Sequence, residues 1–449
     1  MRIWIDASQQ DSSIRVFGMT LLERLLHAVR TAGAELEEVR VELPDGAPVP
    51  SDLPAELGDT LPLCWSRGEG AMSSWLDRAF EDGGPLVVLS ADTVVDTRVV
   101  HHLCAANGSL AFRSGEGEER GAALRLEGGL TSEGLGATPR TELPSVLSLA
   151  DDLVERGIAK ELVEGDFDTY LTMLRRSLPP YLFKVASPAA RGRVERFLFW
   201  SNYKGSTDFL TRHVYPPLVW RMLRPLARRR VHPNWITGIS WLATAASLPL
   251  FAAGAWLPAL ALSYLMSVLD SVDGKLARLT YKSSSFGQYF DHVLDILHPP
   301  LWYMAWGYAL GGGSLTAAPF QWSLWMLGFY VADRIITGVF KGRTGRSIHG
   351  FTPLDARMRT FISRRNVNLA FFTAALALDW VIPGQRVAEY GLCAIVIWQV
   401  LCLAWHCGRL VAWEKSAIKP CLPNGVAGCD DSTELRLVVE RVRNPSGRG

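Results

Sequence analysis

From Asp270 to Asp295 the chain reads DSVDGKLARLTYKSSSFGQYFDHVLD, four aspartates set between long apolar runs. Carboxylates at the ends of membrane-type helices are costly, so by default they mark a function and call for partners. Asp270 and Asp273 are spaced i,i+3, and Asp291 and Asp295 i,i+4, so each pair shares a helical face. The link between the pairs is short enough to fold two helices antiparallel, which predicts that the acidic faces converge into one cluster. Such a cluster repels itself unless hard divalent cations neutralise it, and carboxylate oxygens suit Mg²⁺, Mn²⁺ or Ca²⁺. Two metal ions fit best, because a two-metal site stabilises both attacking and leaving oxygens in displacement at phosphorus. Gly274 leaves a bare backbone for close approach by a substrate. Ala277 keeps the same face small, Arg278 can fork onto a phosphate, and Gly287 offers a second point of approach.

On either side of this stretch, hydropathy predicts six membrane spans, approximately 234–254, 256–277, 290–310, 322–340, 367–383 and 387–412. Arg224 to Arg230, Lys275, Arg278, Lys282, Lys341, Arg343, Arg346, Arg357, Arg359, Arg364, Arg365, Lys415 and Lys419 all fall on one side of that arrangement. The positive-inside rule therefore places both termini and the site on the cytoplasmic face of a multi-pass inner or cytoplasmic membrane protein. Trp256, Trp302, Trp322, Trp380 and Trp413 lie near predicted span ends, as an aromatic belt would. Ahead of the first span, VYPPLVWRMLRPLARRR mixes Val219, Met222, Leu223 and Leu226 with arginines, as a helix lying on the membrane surface does.

The N-terminal part differs in kind. Arg2 to Asp6 and Leu36 to Leu43 read as strands, Leu21 to Gly33 as an amphipathic helix, and Pro85 to Ser90 as a buried parallel strand ending at Asp92. Segments 97–106 and 143–156 read as helices, and Gly115 to Gly121 as a loop. The expected architecture is a Rossmann-like α/β domain over 1–185, a juxtamembrane linker and interfacial helix over 186–231, an all-α six-helix membrane domain over 232–413, and a tail over 414–449. MRIWIDASQQ lacks the basic region and apolar run of a secretory signal, so this domain is expected in the cytoplasm. The seven cysteines carry no CxxC pair and read as reduced thiols, Cys421 and Cys429 in the tail included. The net charge of +1 is a poor guide to partners, because Lys and Arg collect in particular loops, and no nucleic-acid partner is expected.

The acidic stretch resembles the signature of the CDP-alcohol phosphotransferase family, D-x2-D-G-x2-A-R-x8-G-x3-D-x3-D, and matches it at every fixed position. Pro233-Asn234 with Thr237 resembles a second family feature at the start of the first span. The resemblance, over about residues 200 to 412, implies six membrane helices, often a homodimer, and a site open to the cytoplasm. It implies that Asp270, Asp273, Asp291 and Asp295 bind two ions, Mg²⁺ or Mn²⁺, with Asp295 also the general base. It implies further that Gly274, Ala277, Arg278, Gly287 and Thr237 hold the CDP-alcohol, either CDP-diacylglycerol or a CDP-polyol. Lys204-Gly-Ser-Thr-Asp208 and Ser363-Arg364-Arg365-Asn366-Val367 resemble stretches of enzymes that make inositol-phosphate products, with Asn366 replacing an Asp. Arg334, Lys341, Arg343 and Arg365 are candidates for an acceptor phosphate.

Val16 to Arg24 and the strand ending at Asp92 look like pieces of a sugar nucleotidyltransferase fold. The phosphate loop of such enzymes should occupy IDASQQDSSIR, where no glycine stands, so a degenerate domain is expected. A transporter is the main rival reading, since acids within spans also bind coupling ions, but it predicts inverted repeats that the chain lacks. A non-catalytic membrane scaffold is the other, and retention of all four aspartates argues against it.

Overall fold

The computed structural model describes residues 1–8, 14–67, 84–115, 117–127, 145–171, 173–283, 285–416 and 418, with side chains for all of these but 118, 285, 286, 288, 291 and 292. The chain forms two compact units, one containing Met1–Thr169 and Leu178–Ser201, the other Tyr170–Ser177 and the described residues from Asn202 to 418.

The first unit is built on seven strands: Arg2–Asp6 (β1), Glu38–Leu43 (β2), Leu63–Arg67 (β3), Leu86–Ser90 (β4), Leu110–Ser114 (β5), Gly121–Leu126 (β6) and Lys160–Leu162 (β7). Their order across the sheet is β7-β5-β6-β4-β1-β2-β3. The β1, β2, β3 and β4 neighbours run parallel, whereas β6 runs antiparallel to both β4 and β5. Strands β1 and β4 are apolar almost throughout, as strands covered on both faces must be. Helix α1 (Leu21–Ala32) starts at Thr20, whose hydroxyl accepts from the Glu23 amide, and stops at Gly33 in the left-handed region. It packs with α2 (Thr97–Ala105) in one apolar layer, and α3 (Val146–Glu155) seals another through Val146, Leu149 and Leu153 against Trp4, Val88 and Leu124. Helix α4 (Pro188–Ser201), assigned by sequence to the linker, belongs to this unit.

In the second unit, α5 (Pro216–Arg228) buries Val219, Leu223 and Ala227 and leaves its arginines on the other faces. Six helices follow: α6 (Pro233–Ala252), α7 (Trp256–Leu279), α8 (Ser285–Leu310), α9 (Ala318–Thr344), α10 (Arg365–Val381) and α11 (Val387–Glu414). They correspond one to one with the six predicted apolar segments. Three of them, α6, α9 and α11, are long and apolar enough to cross a membrane. Helix α10 has only 17 residues, about 25 Å of rise against roughly 30 Å of hydrocarbon, and α7 and α8 carry the acids. A shared core joins all six, with Phe251, Met266, Trp302, Trp306, Met326, Phe372 and Leu392 buried together. The Trp306 and Phe372 rings stack at 4.1 Å. Outward-facing Leu242, Leu257, Trp325 and Val381 are each more than 60% exposed, a surface suited to lipid. Trp302 is not at a water interface: it is fully buried and donates from Nε1 to the Ser247 hydroxyl at 2.9 Å. The reason is its place on the helix face turned into the bundle, which proximity to a span end does not reveal.

Candidate active site

Helices α7 and α8 are joined by a short turn containing Tyr281, whose φ of 54° lies in the left-handed region, and the acids sit at the ends beside that turn. Asp270 on α7 and Asp295 on α8 meet on one guanidinium. Arg365, at the start of α10, donates from one terminal nitrogen to Asp295 Oδ1 at 2.7 Å and from the other to Asp270 Oδ2 at 2.8 Å. Its side chain is only 13% exposed, so this is a buried bridge between carboxylates of two helices, with geometry an arginine fork favours.

Asp273, one turn beyond Asp270, is buried and faces α6. Thr237 donates its hydroxyl to Asp273 Oδ2 at 2.7 Å, and the Gly274 amide donates to Oδ1 at 2.6 Å. Thr237, expected at the nucleotide, therefore orients an acid in this structure. Asp291 lies on α8 with its side chain outside the described residues, so its expected place in the cluster falls there too. Among the described residues no three Asp, Glu, His or Cys side chains gather closely enough to hold a metal ion. The donor set nevertheless has the right chemistry for a hard cation: Asp270 and Asp295 already bracket a positive charge, and the Arg365 guanidinium stands where that charge is needed.

Beside Gly274, the Arg278 guanidinium lies where a Cβ would touch it at 3.5 Å, and its Nε donates to Asn202 Oδ1 at 3.0 Å. Lys275, read from sequence as a surface loop charge, is instead buried with its ammonium 3.6 Å from the centre of the Tyr203 ring. The i,i+3 geometry of α7 turns it inward beside Arg278.

Basic side chains gather around these acids. Arg334 and Arg364 act on Asp295, and Arg175 and Lys204 on one another. Among the described residues none of Arg175, Lys204, Arg334 and Arg364 has a carboxylate within ion-pair distance, and Arg334 lies over the Tyr330 ring. Burial and then the charge of Arg334 lower Arg364 to about 10. Lys204 is lowered as well, by surrounding protein and then by Arg278 and Arg175. Lys341 is exposed, and Arg343 pairs on the surface with Glu414, so neither is tied to the acids. Arg175, in left-handed backbone at φ 53°, carries no pattern that a sequence reading could single out.

Residues 230–418 match the family model described as CDP-alcohol phosphatidyltransferase, and the chain thus carries a CDP-alcohol phosphatidyltransferase domain. It is 30% identical over 155 residues to a bifunctional IPC transferase and DIPP synthase of Thermococcus kodakarensis, covering 30% of this chain and 34% of that protein. It is also 30% identical over 126 residues to choline/ethanolaminephosphotransferase 1 of Arabidopsis thaliana, covering 26% of this chain and 28% of that protein. The chain therefore spans about a third or less of the length of these relatives. A solved structure assigned as a glucose-1-phosphate thymidylyltransferase from Bacillus anthracis aligns with 43% of this chain and 93% of its own, at 8% identity and a TM-score of 0.32.

Proposed function

We propose that this protein is a multi-pass membrane enzyme that transfers a phosphoalcohol group from a CDP-alcohol to a hydroxyl acceptor and releases CMP. The observation that carries the reading is the meeting of Asp270 and Asp295, from successive helices, on a single buried cation. Asp270, Asp273, Asp291 and Asp295 would hold two divalent ions, Mg²⁺ or Mn²⁺, which when bound supply positive charge against the pyrophosphate and the leaving oxygen. Asp295 accepts the acceptor's hydroxyl proton as that oxygen attacks phosphorus and the bond to the CMP oxygen breaks. Gly274, Ala277 and Gly287 leave room for the cytidine nucleotide, and Arg278 engages its phosphates. The family match, the shared words of the relatives' names and the complete aspartate pattern support this chemistry.

An acceptor that itself bears a phosphate, such as a polyol phosphate, fits the uncompensated Arg175, Lys204, Arg334 and Arg364, with Arg365 able to turn to it once the acids have another counter-ion. All six helices α6 to α11 span the bilayer on this reading, with basic loops, site and termini cytoplasmic. The test is incubation of purified full-length protein with Mn²⁺ or Mg²⁺ and a panel of CDP-alcohols and acceptors, following CMP. Metal-dependent CMP release with an acceptor present is expected. No release with any pair, from protein that remains folded, would overturn the reading.

A further inference from the structure

Two stretches far apart in sequence, Lys204 to Asp208 and Ser363 to Val367, come together beside the acids. Asn366, next to Arg365 on α10, is buried and joins three groups. Its Nδ2 donates toward both Asp208 oxygens at 3.3 and 3.2 Å and toward Thr211 Oγ1 at 3.2 Å, while its Oδ1 accepts from Arg365 Nε at 3.1 Å. The amide orientation is forced, because Arg365 can only donate and a carboxylate can only accept. Asp208 is occupied on its other side as well, accepting from the Thr211 amide at 3.0 Å and the Thr211 hydroxyl at 2.9 Å. All three polar ends of the Arg365 guanidinium are thus engaged: Nε by Asn366, and the terminal nitrogens by Asp295 and Asp270.

We propose that Asn366 and Asp208 form a polarity-matched pair that positions the Arg365 guanidinium across Asp270 and Asp295, making both positioning residues for the transfer site. The role in transfer rests on the reading given above; the pairing does not. Opposite Asp208, position 366 presents an acceptor to Arg365 and a donor to Asp208, which an amide supplies. A carboxylate there would face Asp208 as a like charge and compete with Asp270 and Asp295 for Arg365. Conversely, exchanging the two residue types restores one donor and one acceptor across the contact.

The full-length protein is assayed as wild type, Asn366→Asp, Asp208→Asn and the double exchange. Each single variant is expected to lower maximal CMP release about tenfold or more, and the double exchange to return it to within about threefold of wild type, a coupling that additive sites would not show. Asn366→Asp also draws Arg365 off the acids, so half-activation should need less Mn²⁺, an effect that a merely structural contact would not produce. Independently of activity, amide exchange at Thr211 should quicken in both single variants and slow again in the double exchange. Should Asn366→Asp not fold, Asp208→Asn carries the same comparison. Single variants with wild-type exchange, or a double exchange no better than the singles, would overturn the pairing. Wild-type protein that releases no CMP defeats the reaction instead, and the pairing then stands or falls on the exchange data.

Discussion

The carboxyl end of the α/β sheet and the acidic end of the helical unit both gather charged side chains, but they balance them differently. At the sheet, Asp6 accepts from the Ser8 hydroxyl at 2.6 Å, Ser90 donates to Asp92 at 2.7 Å, Lys184 lies 3.5 Å from Asp92, and Arg120 is held by Asp151. The cavity lined by Asp6, Ser90, Asp92, Arg120 and Lys184 holds only ≈ 30 Å³. In the helical unit, Arg365 alone serves two acids while Arg175, Lys204, Arg334 and Arg364 have no acidic partner among the described residues. Polar side chains satisfied by near neighbours leave little for a ligand to answer, whereas buried charge without an opposite partner calls for one.

The largest effect that tests this contrast is expected at Asp295. Replacing it with Asn should cut CMP release by roughly 10²–10⁴-fold, the usual contribution of a general base, with melting temperature little changed. Retained turnover would remove its role as base. Next, Arg364→Ala and Arg334→Ala should each raise the KM of a phosphorylated acceptor by about tenfold, the weight of one charged contact, and leave the donor KM nearly unmoved. An equal rise for both substrates would place these arginines elsewhere.

A smaller, purely structural effect belongs to Gly307 on α8. A Cβ there would come within 2.5 Å of the Pro319 carbonyl oxygen, a backbone atom that cannot move aside. Gly307→Ala should therefore destabilise the helical unit by about 1–3 kcal/mol in thermal unfolding; an unchanged melting temperature would count against the α8–α9 packing. The smallest effect lies in the other unit. Burial holds the Asp6 carboxyl above its ordinary value against the Ser8 hydrogen bonds, with Asp92 pushing the same way. A raised folded-state value means that Asp6 favours folding fully only below the unfolded value and loses that contribution as pH rises through the folded one. Asp6→Asn should slow amide exchange in β1 at pH 7, make no difference in strong acid, and leave CMP release untouched. Loss of CMP release in that variant would break the contrast between the two units.

Much of this arrangement was legible in the chain. Apolar runs marked the six helices to within a few residues, and the spacing of the acids placed Asp270 and Asp273 on α7 and Asp295 on α8. What local pattern does not carry is which long-range partner each charge finds. Asp208 and Asn366 meet across 158 positions, and nothing in periodicity announces the pair. Lys275 and Trp302 read as interfacial because sequence gives depth along a helix but not the direction a side chain faces within a bundle. The antiparallel β6 is hidden for a related reason, since an apolar buried strand reads the same in either direction.

The central claim, that these acids are a divalent-cation site using Arg365 as its internal counter-ion, is tested most directly by titrating Mn²⁺ into the full-length protein and reading free ion by electron paramagnetic resonance. The account predicts two bound ions per chain, at least one of them lost in Asp270→Asn and in Asp295→Asn, and tighter binding in Arg365→Gln. Wild-type binding in both aspartate variants would contradict it.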